Sequence, residues 1–115
     1  MPSLTVQHNT PLDAAASQNF ANKLCTAVAQ ALGKDPQYML VSLHKAEAIA
    51  MGTASAPAAT FQLDALGLTA EKLAPVIALL TDHARKTLGT APDRVHIIAN
   101  DIPRTHWGFN GQPMA

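Results

Sequence analysis

Shifted by 56 positions, the chain matches itself without a gap. Leu32-Gly33-Lys34-Asp35-Pro36 falls on Leu88-Gly89-Thr90-Ala91-Pro92, so the spacing Leu-Gly-x-x-Pro occurs twice. Each copy follows an apolar helical stretch and precedes a strand-like one. The same shift lays Leu24 on Leu80, Phe20 on Val76, Leu4 on Thr60 and Pro2 on Ala58. Two matched units of strand–helix–strand are the expected plan. A length of 115 residues supports one hydrophobic core, hence a single domain over residues 1–115.

The first helix is expected from Asp13 or Ala14 to Leu32. Phe20, Leu24, Ala27, Val28, Ala31 and Leu32 share one face, with Gln18, Asn22 and Lys23 turned elsewhere. Gly33 is placed to end it in a left-handed conformation. The second helix uses Leu73, Val76, Ile77, Leu80, Ala84 and Leu88 and stops at Gly89. Thr69 offers a cap, while Pro75 lacks an N–H and is expected to kink or restart the helix.

Four strands follow from the same pass, over Pro2–Gln7, Met39–His44, Ala58–Leu66 and Arg94–Ala99. Met39-Leu40-Val41-Ser42-Leu43 and Val95-His96-Ile97-Ile98 read as apolar on both pleat faces. Right-handed crossovers put both helices on one side of the sheet. The other face then needs cover, and copies of the same chain are the economical source. Ala48–Pro57 reads as a loop with room for a short strand. The tail from Asp101, with Pro103, Gly108, Gly111 and Pro113, suits a turn-rich cap or small hairpin.

Composition narrows the function classes. Hydrophobic residues make up 48% and charged residues 14%, richer in apolar side chains than a small free monomer needs. Lys plus Arg and Asp plus Glu number 8 each, so no basic field draws nucleic acid. No apolar run spans a bilayer and no leader pattern opens the chain, so no membrane partner is expected. A single cysteine, Cys25, excludes an internal disulfide and fits a reducing compartment, with the cytoplasm as default. Its place in a helical pattern beside Leu24 suits a packing role. His8, His44, His83 and His106 show no metal-ligand spacing, so surface or packing roles are expected of each.

Pro2 is the residue with chemistry to offer. Aminopeptidases trim an initiator Met that precedes a small residue or Pro, so the mature chain is expected to begin there. A terminal proline is a secondary amine, whereas an internal one is a tertiary amide without basicity. Burial in an apolar pocket lowers the pKa of such an amine toward neutrality, where a general base works best. The bland reading is that many chains begin Met-Pro.

Together with the doubled unit, three further stretches give a resemblance. Gly33-Lys34-Asp35-Pro36-Gln37-Tyr38, Ala91-Pro92-Asp93-Arg94-Val95 and Gly108-Phe109-Asn110 make the chain similar, over essentially its whole length, to the macrophage migration inhibitory factor (MIF) group of the tautomerase superfamily. The resemblance implies an α/β (α+β) fold with a βαββαβ protomer and a homotrimer whose sheets surround a central channel. It also implies active sites at subunit interfaces and a cofactor-independent isomerase, with no cofactor or metal. The implied partner is a small aromatic α-keto acid such as phenylpyruvate, whose proton the terminal proline moves between carbon and oxygen.

Carried over by position, the resemblance makes Pro2 the catalytic base and Lys34 the holder of the substrate carboxylate. Outside the family, Lys34 reads as a solvated lysine at a helix end. Leu66 supplies a backbone N–H to the substrate, a role indifferent to its side chain. Tyr38 and Phe109 match aromatic positions near the pocket, and Met114 stands where the family often has Phe. His96 and Ile98 hold the two strand positions at which the vertebrate factor supplies a tyrosine and an asparagine from the neighbouring subunit. Ile98 cannot donate the hydrogen bond expected there, while His96 offers a polar replacement for the phenol.

Other departures trim the range of activities. Where some members carry Cys-x-x-Cys this chain has Ala58 and Phe61, so thiol–disulfide activity is not expected. No arginine stands near Pro11-Leu12-Asp13, against a cytokine-type role. Branches acting on haloacrylates or dicarboxylates need an early arginine, and none precedes Arg85. Two classes stay open: a tautomerase using Pro2 and Lys34, and a MIF-like binding or immune-modulating protein with residual activity.

Overall fold

A computed structural model describes residues 1–115. Its order is β1 (Pro2–His8), α1 (Ala14–Leu32), β2 (Leu40–Lys45), β3 (Ala59–Ala65), α2 (Ala70–His83) and β4 (Val95–Asp101), followed by a hairpin of β5 (Gly108–Phe109) and β6 (Gln112–Pro113). The doubled unit read from the sequence is the architecture. The sheet runs β2-β1-β3-β4, parallel within each unit and antiparallel where the two units meet at β1 and β3.

Helix α1 starts where the Asp13 carboxylate accepts the Ala16 N–H at 2.7 Å and ends at Gly33, whose φ of 67° only glycine adopts freely. Its stripe of Phe20, Leu24 and Val28 is fully buried against Leu4 and Val6 of β1, Phe61 and Leu63 of β3, and Val76 and Leu80 of α2. Full burial of each such side chain is worth about 1.5–3 kcal/mol. A single Leu24→Ala change at the centre of this stripe removes about 2–5 kcal/mol.

Thr69 caps α2 as expected, its hydroxyl accepting the Lys72 N–H at 3.2 Å. Of the kink or restart expected at Pro75, the restart does not occur, because one helix runs through that position. Pro75 costs only the bond to the Glu71 carbonyl. Both residues are exposed, which leaves that oxygen open to solvent. The helix then widens into a π turn over Ala84–Leu88 and stops at Gly89, with φ 69°. The middle loop carries no strand, only an isolated bridge between Met51 and Ala54.

The reading of two apolar sheet faces is also corrected. Val41 and Leu43 of β2 and Val95, Ile97 and Ala99 of β4 pack on the core beneath the helices. The strand alternation turns Leu40, Ser42 and His44, and His96, Ile98 and Asn100, to the other side. There they join Ser3, Thr5, Gln7, Thr60, Gln62 and Asp64, which makes that face polar. Met39 lengthened the apparent apolar run, yet it precedes the strand and drops into the core. What stays uncovered is Leu40 at 66% exposure, Ile98 at 54%, and the outer edges of β2 and β4.

Candidate active site

A cleft of about 670 Å³ opens at the end of the sheet where β1 begins. Met1, Pro2, Ser3, Tyr38, Leu40, Asp64, Trp107 and Phe109 are among its walls. Pro2 is fully buried and pairs with Ala65 of β3. A proline is tolerated in this central strand because it is the first residue, where its missing N–H costs no ladder bond.

Lys34 reaches the site from the end of α1. Its own N–H closes the helix by bonding the Ala29 carbonyl at 2.8 Å, around the left-handed Gly33. That turn sends the side chain across to the end of β3, where Nζ donates to the Leu66 carbonyl at 3.2 Å. The Leu66 N–H in turn donates to the Met1 carbonyl at 3.4 Å. Pro2, Lys34 and Leu66 are therefore gathered at one point. Burial first, then the Lys34 and Arg104 cations, hold the Met1 ammonium below its ordinary pKa.

Tyr38 and Phe109 form the aromatic wall, their rings edge to face with centroids 5.7 Å apart. Tyr38 sits on a 3₁₀ turn (Pro36–Tyr38) capped by Asp35, whose carboxylate accepts the Gln37 N–H at 2.9 Å. Phe109 is carried by the hairpin, which turns at Asn110 and Gly111 with positive φ at both. Arg104 pins the tail by donating to the Met114 carbonyl at 2.9 Å, and the Met114 N–H donates to Trp107 at 2.9 Å.

His96 and Ile98 are not brought to this cleft. They line a second one, of about 590 Å³, with Gln7, Met51, Ala58 and Arg94. It is the first cleft's counterpart under the internal repeat, which maps Pro2 to Ala58, Tyr38 to Arg94, Leu40 to His96 and Trp107 to Met51. The residues differ between the two clefts. Ala58 stands for the proline and Thr90 for Lys34, while the Arg94 guanidinium is spent on the Ala54, Ala56 and Pro57 carbonyls at 2.8–3.1 Å.

Asp64 and Trp107 line the Pro2 cleft, and Arg104 stands near it, without having been singled out from the sequence, while His106, expected only at the surface or in packing, is also on the wall. The alternation of β3 marks Asp64 as outward, but only the register opposite Ser3 places it beside Pro2. Cys25 is half-buried with its thiol 3.6 Å from the carbonyl of Met39, and it packs behind that wall residue without lining the cleft itself.

No helix is long and apolar enough to cross a membrane. The model of the macrophage migration inhibitory factor (MIF) family matches residues 1–115. A MIF homolog of Trichuris trichiura is 31% identical over 112 residues, covering 96% of this chain and 97% of the relative. D-dopachrome decarboxylase-B of Xenopus laevis is 32% identical over 101 residues, covering 84% of each. Among solved structures, a MIF homologue from Prochlorococcus marinus superposes with a TM-score of 0.91 at 24% identity, covering 98% of this chain and 99% of that one. With the doubled βαβ unit and a proline-headed first strand, the family match over residues 1–115 shows that the chain belongs to the macrophage migration inhibitory factor family of the tautomerase superfamily.

Proposed function

We propose that the chain, once it begins at Pro2, is a cofactor-independent keto–enol tautomerase acting on phenylpyruvate-like α-keto acids. One observation carries the reading: buried Pro2 opens a cleft with the Lys34 ammonium and the Leu66 N–H beside it. Freed of Met1, the proline nitrogen becomes a secondary amine in the surroundings that lower the Met1 pKa. Neutral Pro2 takes a proton from the carbon next to the keto group. The enediolate charge rests on Lys34 and the Leu66 N–H, and proton return to the other atom completes the exchange. Tyr38 and Phe109 hold the ring of an aromatic substrate. The Xenopus relative is named a decarboxylase, which fits an enzyme reading of the fold.

In this reading the protein is a homotrimer, and His96 and Ile98 reach the Pro2 cleft from a neighbouring copy. The polar open face suits a water-filled channel better than a sealed core. A reducing cytoplasm fits the lone Cys25.

The second reading is a MIF-like binding or immune-modulating protein with residual tautomerase activity. Ile98 favours it, since its side chain donates no hydrogen bond to a substrate. An enol–keto assay with phenylpyruvate, on a chain whose intact mass shows Pro2 first, separates the two. The tautomerase reading expects saturable conversion that Pro2→Gly impairs without erasing, because glycine keeps a terminal but primary and more mobile amine. Conversion no faster than in buffer leaves the binding reading ahead.

A further inference from the structure

The Pro2 cleft carries one carboxylate, Asp64, to which the tautomerase mechanism gives no task. In the sheet register Asp64 lies opposite Ser3, the residue after Pro2, and beside Asn100 of β4. The Asn100 amide donates to Oδ1 at 3.0 Å, which fixes the side chain on the open face of the sheet and leaves the second oxygen unpaired. No cation neutralises it, because both ion pairs of the chain fall on Asp82. The nearby cations are engaged elsewhere, Lys34 on the Leu66 carbonyl and Arg104 on the Met114 carbonyl. The cleft therefore carries a half-buried, hydrogen-bonded carboxylate on its wall, while the Lys34 ammonium sits on the carbonyl of Leu66, two residues along the chain from Asp64.

We propose that Asp64 sets the charge class of the ligand: the cleft accepts keto acids with a single acid group, seated on Lys34, and rejects those with a second acid group on the distal ring. The seat of the first carboxylate rests on the tautomerase reading above; the rejection of the second rests on Asp64. The Asn100 amide brings no opposite charge to the Asp64 carboxylate. At a partly exposed site a second anion about 7 Å away loses roughly tenfold in affinity to such repulsion.

The test uses the full chain beginning at Pro2. Trp107, the only tryptophan, lines the cleft, so its fluorescence reports occupancy. Phenylpyruvate and 4-carboxyphenylpyruvate differ by one acid group on the ring. Asp64→Asn is isosteric and keeps the oxygen that accepts from Asn100, so it removes the charge alone. At low salt the unsubstituted protein is expected to bind the monoacid about tenfold more tightly, and the variant to bring the two ligands within about threefold. Raising salt to about 0.5 M should narrow the ratio in the unsubstituted protein too, which tests the filter without any substitution. An unchanged ratio in Asp64→Asn, equal binding of the two acids by the unsubstituted protein, or no fluorescence change with either acid overturns the proposal. The expected ratio without enol–keto exchange keeps the filter and removes the tautomerase. Exchange with no preference between the two acids does the reverse.

Discussion

The Leu66 N–H donates to the Met1 carbonyl at 3.4 Å, so the residue ahead of Pro2 takes the donor that the proposed mechanism gives to substrate. A chain carrying Met1 should therefore fail twice. Its Pro2 nitrogen is a tertiary amide without basicity, and one of the two anion contacts is already filled. Material shown by intact mass to keep Met1 is expected neither to convert phenylpyruvate above the buffer rate nor to quench Trp107 on adding it. Trimming by an aminopeptidase should restore both. Full turnover by the Met1 form would end the Pro2 mechanism.

Lys34→Ala should act on binding first. The lost charge-assisted contact is worth roughly 1.5–3 kcal/mol, about one to two orders of magnitude in kcat/KM, mostly through KM. The sign of the pH effect follows from the cation. Lys34 disfavours a proton on a neighbouring amine, as it does for Met1, where it ranks after burial. Without it the Pro2 pKa rises, so the acid limb of the pH–rate profile should move to higher pH. An acid limb that stays in place would separate Lys34 from the base.

The plan of the fold was legible because the repeat and both helix ends are written locally, in Gly33, Gly89 and the apolar stripes. Pro75 misled because a proline's cost depends on which carbonyl it strands, and the stranded Glu71 is exposed. Leu40 and Ile98 misled because neighbouring apolar residues look continuous in sequence while the pleat separates them. At the site, Pro2 and Lys34 were visible through family resemblance. Asp64 was not, since its relation to Ser3 exists only across the antiparallel seam between the two units.

His8 gives the fold a pH dependence of definite sign. It closes β1 at 2% exposure, and Nδ1 accepts the Thr10 N–H at 3.1 Å. Burial first, then the Lys45 ammonium on the neighbouring strand, lowers its pKa below 6.5. The unfolded chain therefore binds this proton more readily than the folded one. The stability is intact above about pH 6.5, the unfolded value, and is lost as pH falls toward the depressed folded value. Half-buried His83, lowered chiefly by burial, acts in the same sense. Melting temperature should fall as pH drops from about 6.5 to about 5, and less steeply in His8→Gln. Parallel curves for the two proteins would clear His8 of the effect.

The homotrimer is the prediction on which the shared site depends. Strands β2 and β4 are the sheet's outer strands, so each leaves one backbone edge unpaired, a surface that folded proteins cover or blunt. Exposed Leu40 and Ile98 sit on those same strands. His96 pairs with Thr60 in the row of Gln7, five residues along β1 from Pro2, or roughly 17 Å at strand rise. Within one protomer it cannot serve the Pro2 cleft, so any role there requires a neighbour. Sedimentation at micromolar concentration should show a trimer. Ile98→Asp places a charge on β4 outside the protomer core, and should shift the protein toward monomer with its circular dichroism retained. Activity should be lost in step with assembly. A monomer that turns over phenylpyruvate at the trimer's rate would remove His96 and Ile98 from the site and confine the chemistry to Pro2, Lys34 and Leu66.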